Sequence, residues 1–186
     1  MFDLIRQRRS IRRFTKDPLS PGHLQLLQEA LLRAPSSRGT RPWEFLFVDD
    51  PGLLAQLAGC KPHGAAFLEE ASLGIVVCGD EKKSDVWVED CAIAAIFAQL
   101  AATSLGLGSC WIQVRNRPRT GGESAEEFIR RLLAVPAHLR VASILALGHP
   151  AEKKEGHPAA SLDFAKIHRN RYGRRPGGGG GIPAGR

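Results

Sequence analysis

One stretch constrains this chain more than any other. From Val88 to Leu105 the sequence reads VEDCAIAAIFAQLAATSL, an unbroken helical pattern in which 13 of 18 residues are apolar. These residues spread around nearly the whole helical circumference, so the segment offers no solvent face and has to be surrounded. A lipid bilayer would surround it, but Glu89, Asp90 and Gln99 are costly in lipid. The expectation is a helix buried on all sides in a soluble protein. Its many alanines allow another helix to approach closely, within the chain or across a subunit interface, and the sequence leaves both open.

The remaining segments supply the layers that such a helix needs. Trp43 to Val48 (WEFLFV), Ser72 to Gly79 (SLGIVVCG), the run into Ile112 after the Gly106-Leu107-Gly108 turn, and Val141 to Leu147 (VASILAL) have the aromatic and β-branched character of strands. A helix is expected over residues 2–8, with Phe2, Leu4 and Ile5 facing inward. Another runs from Pro21 to Arg33, where Ser20 caps and Leu24, Leu27, Leu31 and Leu32 form the inner stripe. Helices over Pro51–Ala58 and Ser124–Leu133 complete the set, the latter with Ser124 and Glu127 at capping-box spacing. Helices and strands are mixed along the chain without an internal repeat, which gives an α/β or α+β sandwich around a central sheet of about four strands. The length of 186 residues suits one core. The expected domain covers residues 1–175, and residues 176–186 (PGGGGGIPAGR) form a flexible Gly-rich tail.

The net charge of +7 is informative once it is located. Residues 1–16 carry +5 and residues 166–175 (KIHRNRYGRR) carry another +5, which leaves the rest of the chain at −3. A solvated basic face or a polyanion-binding surface would both produce this pattern. The four cysteines have no CxxC spacing and read as small buried hydrophobes in a reducing compartment. The N-terminus lacks the apolar run of a signal peptide, so a cytoplasmic location is expected.

Three segments are candidates for chemistry. In Arg8-Arg9-Ser10-Ile11-Arg12, guanidinium forks and a hydroxyl suit phosphate oxygens, while Ile11 and Phe14 anchor the segment to the core. The loop Ala34-Pro-Ser-Ser-Arg-Gly-Thr-Arg-Pro-Trp43 offers hydroxyls, a glycine and two arginines, which suit a polar planar ligand. In Gly106-Leu-Gly-Ser-Cys-Trp111, glycines permit close approach to the backbone and Trp111 offers a flat face. Each has a plain alternative: a solvated arginine surface, a polar connector, and a helix cap followed by a core tryptophan. No GxGxxG or P-loop pattern is present. The six histidines lack metal-ligand spacing, so no metal site is expected. Glu69-Glu70 and Glu89-Asp90 are adjacent and do not form an acid/base dyad. If the protein is an enzyme, a cofactor carries its chemistry and no side chain is assigned a catalytic role.

Taken together, the order and spacing of these segments resemble the FMN-dependent nitroreductase family. The resemblance rests on RRSxR near the start, APSSxGxxPW about 25 residues later, GLGSCW after a long helix, and LGHP followed by lysines. It extends over roughly residues 2–173. It implies an α+β homodimer with a mainly antiparallel sheet, flanking helices and one strand contributed by the partner. It also implies FMN at the dimer interface, with electrons passed from NAD(P)H through the flavin to a small organic acceptor such as a nitroaromatic or quinone in a ping-pong cycle. Arg8, Arg9, Ser10 and Arg12 match the segment that holds the phosphate and reaches the pyrimidine edge. Pro35, Ser36, Ser37, Arg38 and Gly39 match the loop that comes from the partner subunit. Cys110, Trp111 and Ile112 fall where backbone nears the isoalloxazine ring. Gly148, Lys153 and Lys154 match the last phosphate-side segment, and KIHRNRYG the C-terminal stretch that crosses the dimer in some members.

Two departures stand out. Gly39 occupies a position where many members have asparagine, and Arg41 one where glutamine precedes Pro-Trp. Arg41 adds a cation that would favour an anionic substrate or stabilise reduced flavin; an Arg41→Gln variant with unchanged flavin potential and substrate range rules this out. Membrane and nucleic-acid partners are not expected on the flavin reading. Two rival functions remain: a non-enzymatic basic protein that binds nucleic acid or another polyanion through its charged termini, and a flavin-binding sensor without turnover.

Overall fold

The computed structural model describes residues 1–175; the expected Gly-rich tail, 176–186, lies outside the described residues. The chain divides after Gly156, with a second unit beginning at His157.

The first unit is built on four strands: β1 (Trp43–Val48), β2 (Leu73–Asp80), β3 (Gly108–Gln113) and β4 (Leu139–Gly148). They form one antiparallel sheet in the order β1-β2-β4-β3, so β1 and β3 are its edges. The central strands β2 and β4 are apolar on both faces, as strands covered on both sides must be. Alternation along β2 sends Leu73, Ile75 and Val77 into one apolar layer and Val76 and Cys78 into the other. A bulge between Val77 and Cys78 shifts the pairing with β4 by one residue.

The five α-helices are α1 (Phe2–Gln7), α2 (Pro21–Leu32), α3 (Pro51–Ala58), α4 (Trp87–Ser104) and α5 (Ala125–Leu132), of which α1 packs against α4 rather than the sheet. Leu27 and Leu31 of α2 share one core with the alanine stripe Ala94, Ala95, Ala98 and Ala102 of α4. Leu54 and Leu57 of α3 and Phe128 and Ile129 of α5 share the other with Ile11 and Phe14. The local signals act as expected. The Ser20 hydroxyl accepts from the His23 N–H at the start of α2, and Ser124 and Glu127 form a reciprocal capping box on α5. No helix of the described residues is long and apolar enough to cross a membrane.

Three expectations about burial need correction. Leu32, expected on the inner stripe of α2, is 62% exposed. α4 is buried along one side only, and Ile93, Ile96 and Phe97 are each more than a third exposed. The short α1 has no buried residue, and Phe2 (74%) and Ile5 (52%) face out. The reason is the layer order. The sheet and α2 cover the inner stripe of α4, and Ile93, Ile96 and Phe97 lie outside that stripe.

The second unit, over residues 157–175, consists of two short 3₁₀ turns, Ala159–Ser161 and Phe164–Lys166, followed by a bend in which the tilted rings of His168 and Tyr172 meet with centroids 4.4 Å apart. Leu162, Phe164 and Ile167 are all about half exposed.

Close packing between β2 and α4 depends on Gly79. A Cβ there would lie 2.6 Å from the Trp87 ring and 2.9 Å from Cys91 Sγ. Gly79→Ala is expected to lower unfolding free energy by about 2 kcal/mol, as overpacking does, measured by urea denaturation.

Candidate active site

After α1 the chain runs along the sheet as a strap. Arg8 ends the helix with an extended backbone, donating its N–H to Leu4 O. Ser10 then bridges Ser109 at the start of β3, with the Ile11 N–H donating to Ser109 O at 3.0 Å. Farther on, Phe14 bridges Pro150, and the Thr15 N–H donates to His149 O at 2.9 Å. The wedges of this strap need bare backbone beneath them. A Cβ on Gly108 would lie 2.8 Å from Ile11, and one on Gly148 3.0 Å from Phe14. The apolar residues between the arginines are thus pressed onto glycines at the ends of β3 and β4.

The polar groups of the strap gather at the same place. Lys154 Nζ donates to Ser10 O at 3.1 Å and to Glu152 Oε1 at 2.8 Å. Glu152 Oε1 also accepts the Arg12 N–H at 2.6 Å, and the Arg9 guanidinium donates to Glu155 O. The Arg12 guanidinium lies over the Phe67 ring, 5.7 Å from its centroid. Cys110 reports the convergence. Burial raises its thiol pKa, while Arg12, a hydrogen bond from Ser10, Lys154 and Arg8 pull it down. Cys78 and Cys91, with no cation cluster, are pushed up to about 12 by burial first and then by neighbouring negative groups. All four cysteines are free thiols.

The second segment, residues 36–41, is a tight loop at the start of β1. Arg38 (φ 52°), Gly39 (φ 67°) and Arg41 (φ 47°) are left-handed. The Arg41 N–H donates to Ser36 Oγ at 2.9 Å, and the Ser37 N–H donates to Asp90 Oδ1 at 2.7 Å. Pro42 O accepts the Asp80 N–H at 2.8 Å.

Strap and loop occupy diagonally opposite corners of the sheet. The loop joins the Trp43 end of edge strand β1, and the strap sits on the Gly108 end of edge strand β3. Helix α4 spans the gap, with Asp90 at the loop and Gln99 donating to Ser109 Oγ at 3.4 Å. Three strand spacings across and nine helical residues along separate the two corners by on the order of 20 Å.

The model of the Nitroreductase family matches residues 5–60 and 59–149. The chain belongs to the nitroreductase family. It is 42% identical to an FMN-dependent nitroreductase from Clostridium difficile R20291, whose structure aligns with a TM-score of 0.90 over 92% of this chain and 100% of that one. The structure of an NADPH:FMN oxidoreductase from Vibrio harveyi complexed with NAD⁺ aligns with a TM-score of 0.76 at 28% identity, over 92% of this chain and 77% of that one. An NADH dehydrogenase from Thermus thermophilus is 29% identical over 191 residues, 87% of this chain and 91% of the relative.

Within this nitroreductase fold, the residues singled out in the sequence fall into two groups. Arg8, Arg9, Ser10, Arg12, Cys110, Gly148 and Lys154 meet at the strap. Pro35, Ser36, Ser37, Arg38, Gly39 and Arg41 form the distant loop. Trp111 is half-buried, with its Nε1 donating to Gln113 Oε1 at 3.1 Å, and Ile112 points into the opposite core. The Lys153 side chain is 91% exposed and pairs with Glu155. Sequence reasoning missed Glu152 and Asp90. For Asp90 a signal existed: helical spacing puts it on the buried stripe with Ala94 and Ala98, where a carboxylate needs donors.

The Arg12 N–H and, after it, the Lys154 ammonium hold the Glu152 carboxyl below its ordinary value. A carboxylate held down in the folded chain adds stability above its unfolded pKa and loses it as pH falls through the folded one. Unfolding followed from about pH 6 to about pH 3 is expected to show an acid-dependent loss that Glu152→Gln reduces. Gly108→Ala, by displacing Ile11, is expected to weaken inorganic phosphate or FMN binding about tenfold, read by titration calorimetry.

Proposed function

We propose that this protein is an NAD(P)H-dependent FMN oxidoreductase, a cytoplasmic homodimer that reduces small organic acceptors such as nitroaromatics or quinones. The carrying observation is the strap, where Lys154 Nζ reaches Ser10 O and Glu152, Glu152 takes the Arg12 N–H, and Arg8 and Arg9 stand on the same segment. That donor set fits FMN: guanidinium forks and an ammonium suit a dianionic phosphate, and a hydroxyl adds a neutral donor. When bound, FMN supplies the redox chemistry, taking hydride from NAD(P)H and passing electrons to the acceptor in a second half-reaction.

The chain's own residues hold and shield. Arg8, Arg9, Ser10 and Lys154 hold the phosphate, with Glu152 offsetting part of the charge of Lys154. Arg12 reaches the pyrimidine edge, braced on Phe67. The backbone of Cys110, Trp111 and Ile112 lines the ring. Gly148 lets the strap close over the end of β4, and Lys153 adds positive charge at the rim. No side chain is required as a general acid, because fixed donors around the ring stabilise developing charge.

The site is completed by a second copy. One small cofactor does not span corners on the order of 20 Å apart, so Pro35, Ser36, Ser37, Arg38, Gly39 and Arg41 act on the partner's flavin. Three features support this assembly. Phe2 and Ile5 of α1 and Ile93, Ile96 and Phe97 of α4 are uncovered apolar residues. Among the described residues β1 is an edge strand, beside a groove lined by Leu31, Leu32, Phe45 and Phe47. Residues 157–175 carry Leu162, Phe164 and Ile167 half exposed, suited to lie on that edge in the partner.

The test is the visible spectrum of the purified, desalted protein, with the released chromophore identified and the native mass measured. FMN, bleaching by NAD(P)H without oxygen, and twice the 20.2 kDa chain mass are expected. Arg12→Gln is expected to weaken FMN binding about tenfold or more through loss of a charge-assisted contact. A colourless protein that takes up no added FMN overturns the flavin reading. Bound flavin that NAD(P)H does not reduce points instead to a sensor.

A further inference from the structure

The 36–41 loop concentrates backbone strain. Arg38 and Arg41 both adopt positive φ without being glycine, flanking Gly39. Such geometry persists only where surrounding contacts over-determine it. The Arg41 N–H to Ser36 Oγ and Thr40 Oγ to Ser37 O bonds move with the loop, so they do not fix it to the protein. Of the side chains that tether it, Asp85 pairs with Arg38 at 2.9 Å, but these side chains are 80% and 71% exposed, where an ion pair is weak. The other is Asp90.

Asp90 is 2% exposed. Its Oδ1 accepts the Ser37 N–H at 2.7 Å, and its Oδ2 accepts the hydroxyl of Ser84, also 2% exposed, at 3.0 Å. One buried carboxylate in the first turn of α4 thereby ties together the helix, the turn at residues 81–86 and the loop. Charge-assisted bonds of this kind are roughly twice as strong as neutral ones, and losing the acceptor leaves the buried Ser84 hydroxyl and the half-buried Ser37 N–H unpaired.

We propose that Asp90 is a positioning residue for the flavin site: it does not touch the cofactor but fixes the strained conformation in which the 36–41 loop meets it. This role rests on the flavin reading above. The two are tested separately by FMN titration of the apoprotein and by tryptic cleavage at Arg38–Gly39 without flavin. Arg41–Pro42 resists trypsin, so cleavage in this loop reports on the Arg38 bond. Asp90→Ala is expected to raise the Arg38–Gly39 cleavage rate and the FMN Kd, each about tenfold. Asp90→Asn retains an oxygen for the Ser37 N–H and an amide for Ser84 Oγ, and is expected within about threefold of wild type on both. Asp85→Ala is expected to leave both near wild type.

Wild-type cleavage and affinity in Asp90→Ala overturn the proposal, as does an Asp90→Asn variant as impaired as the alanine one. Should Asp90→Ala not fold, Ser84→Ala decides: faster cleavage at Arg38 supports the clamp, and wild-type cleavage with wild-type affinity refutes it. A wild-type protein that binds no FMN refutes the flavin reading instead, and the cleavage rates then judge the clamp alone.

Discussion

The contact of Ile11 and Phe14 with Gly108 and Gly148 is the constraint on which the rest of the site depends. Arginines repel one another and prefer water, so a segment with five of them does not settle onto a core by its charges. It settles because two large apolar side chains meet bare backbone at the ends of β3 and β4. Once they are seated, backbone pairing at Ser109, His149 and Arg13 fixes the register of the segment that carries the arginines. Glu152 restrains the cluster from within by binding the Arg12 backbone and Lys154. The cluster remains net positive, as a site for a doubly charged anion must.

The same logic governs the other corner. The loop before β1 presents hydroxyls and arginines from a conformation that its own residues disfavour, and a buried carboxylate holds it. Strap and loop are both short irregular segments fixed by neighbours of high order: paired strands in one case, the first turn of the longest helix in the other. α4 serves as a ruler between them, touching the loop at Asp90 and the β3 end at Gln99.

Much of this was legible in the residues. β1 and α3 have the boundaries that their composition suggests, and the capping box at Ser124 and Glu127 forms as spaced. These features are local, set by alternation, caps and turn residues, so a linear reading captures them. What the sequence hid was nonlocal. Glu152 meets Arg12 across 140 positions, and Asp90 meets Ser37 across 53. The reading of Val88–Leu105 as buried on all sides counted apolar residues correctly and left open whether one chain or two supply the cover. Ile93, Ile96 and Phe97 instead face outward, as do Phe2 and Ile5. Composition states that a surface wants cover; it does not state which molecule provides it.

Placing the two halves of a site at opposite corners of one sheet ties ligand binding to concentration. On the two-chain reading, a lone chain owns a strap without its loop and a loop without its strap, so neither corner alone reaches full affinity. Cofactor occupancy and association then become linked equilibria: each bound flavin favours the paired state, and each pairing raises affinity for flavin by the same factor. On that reading, dilution lowers cofactor occupancy and pairing together.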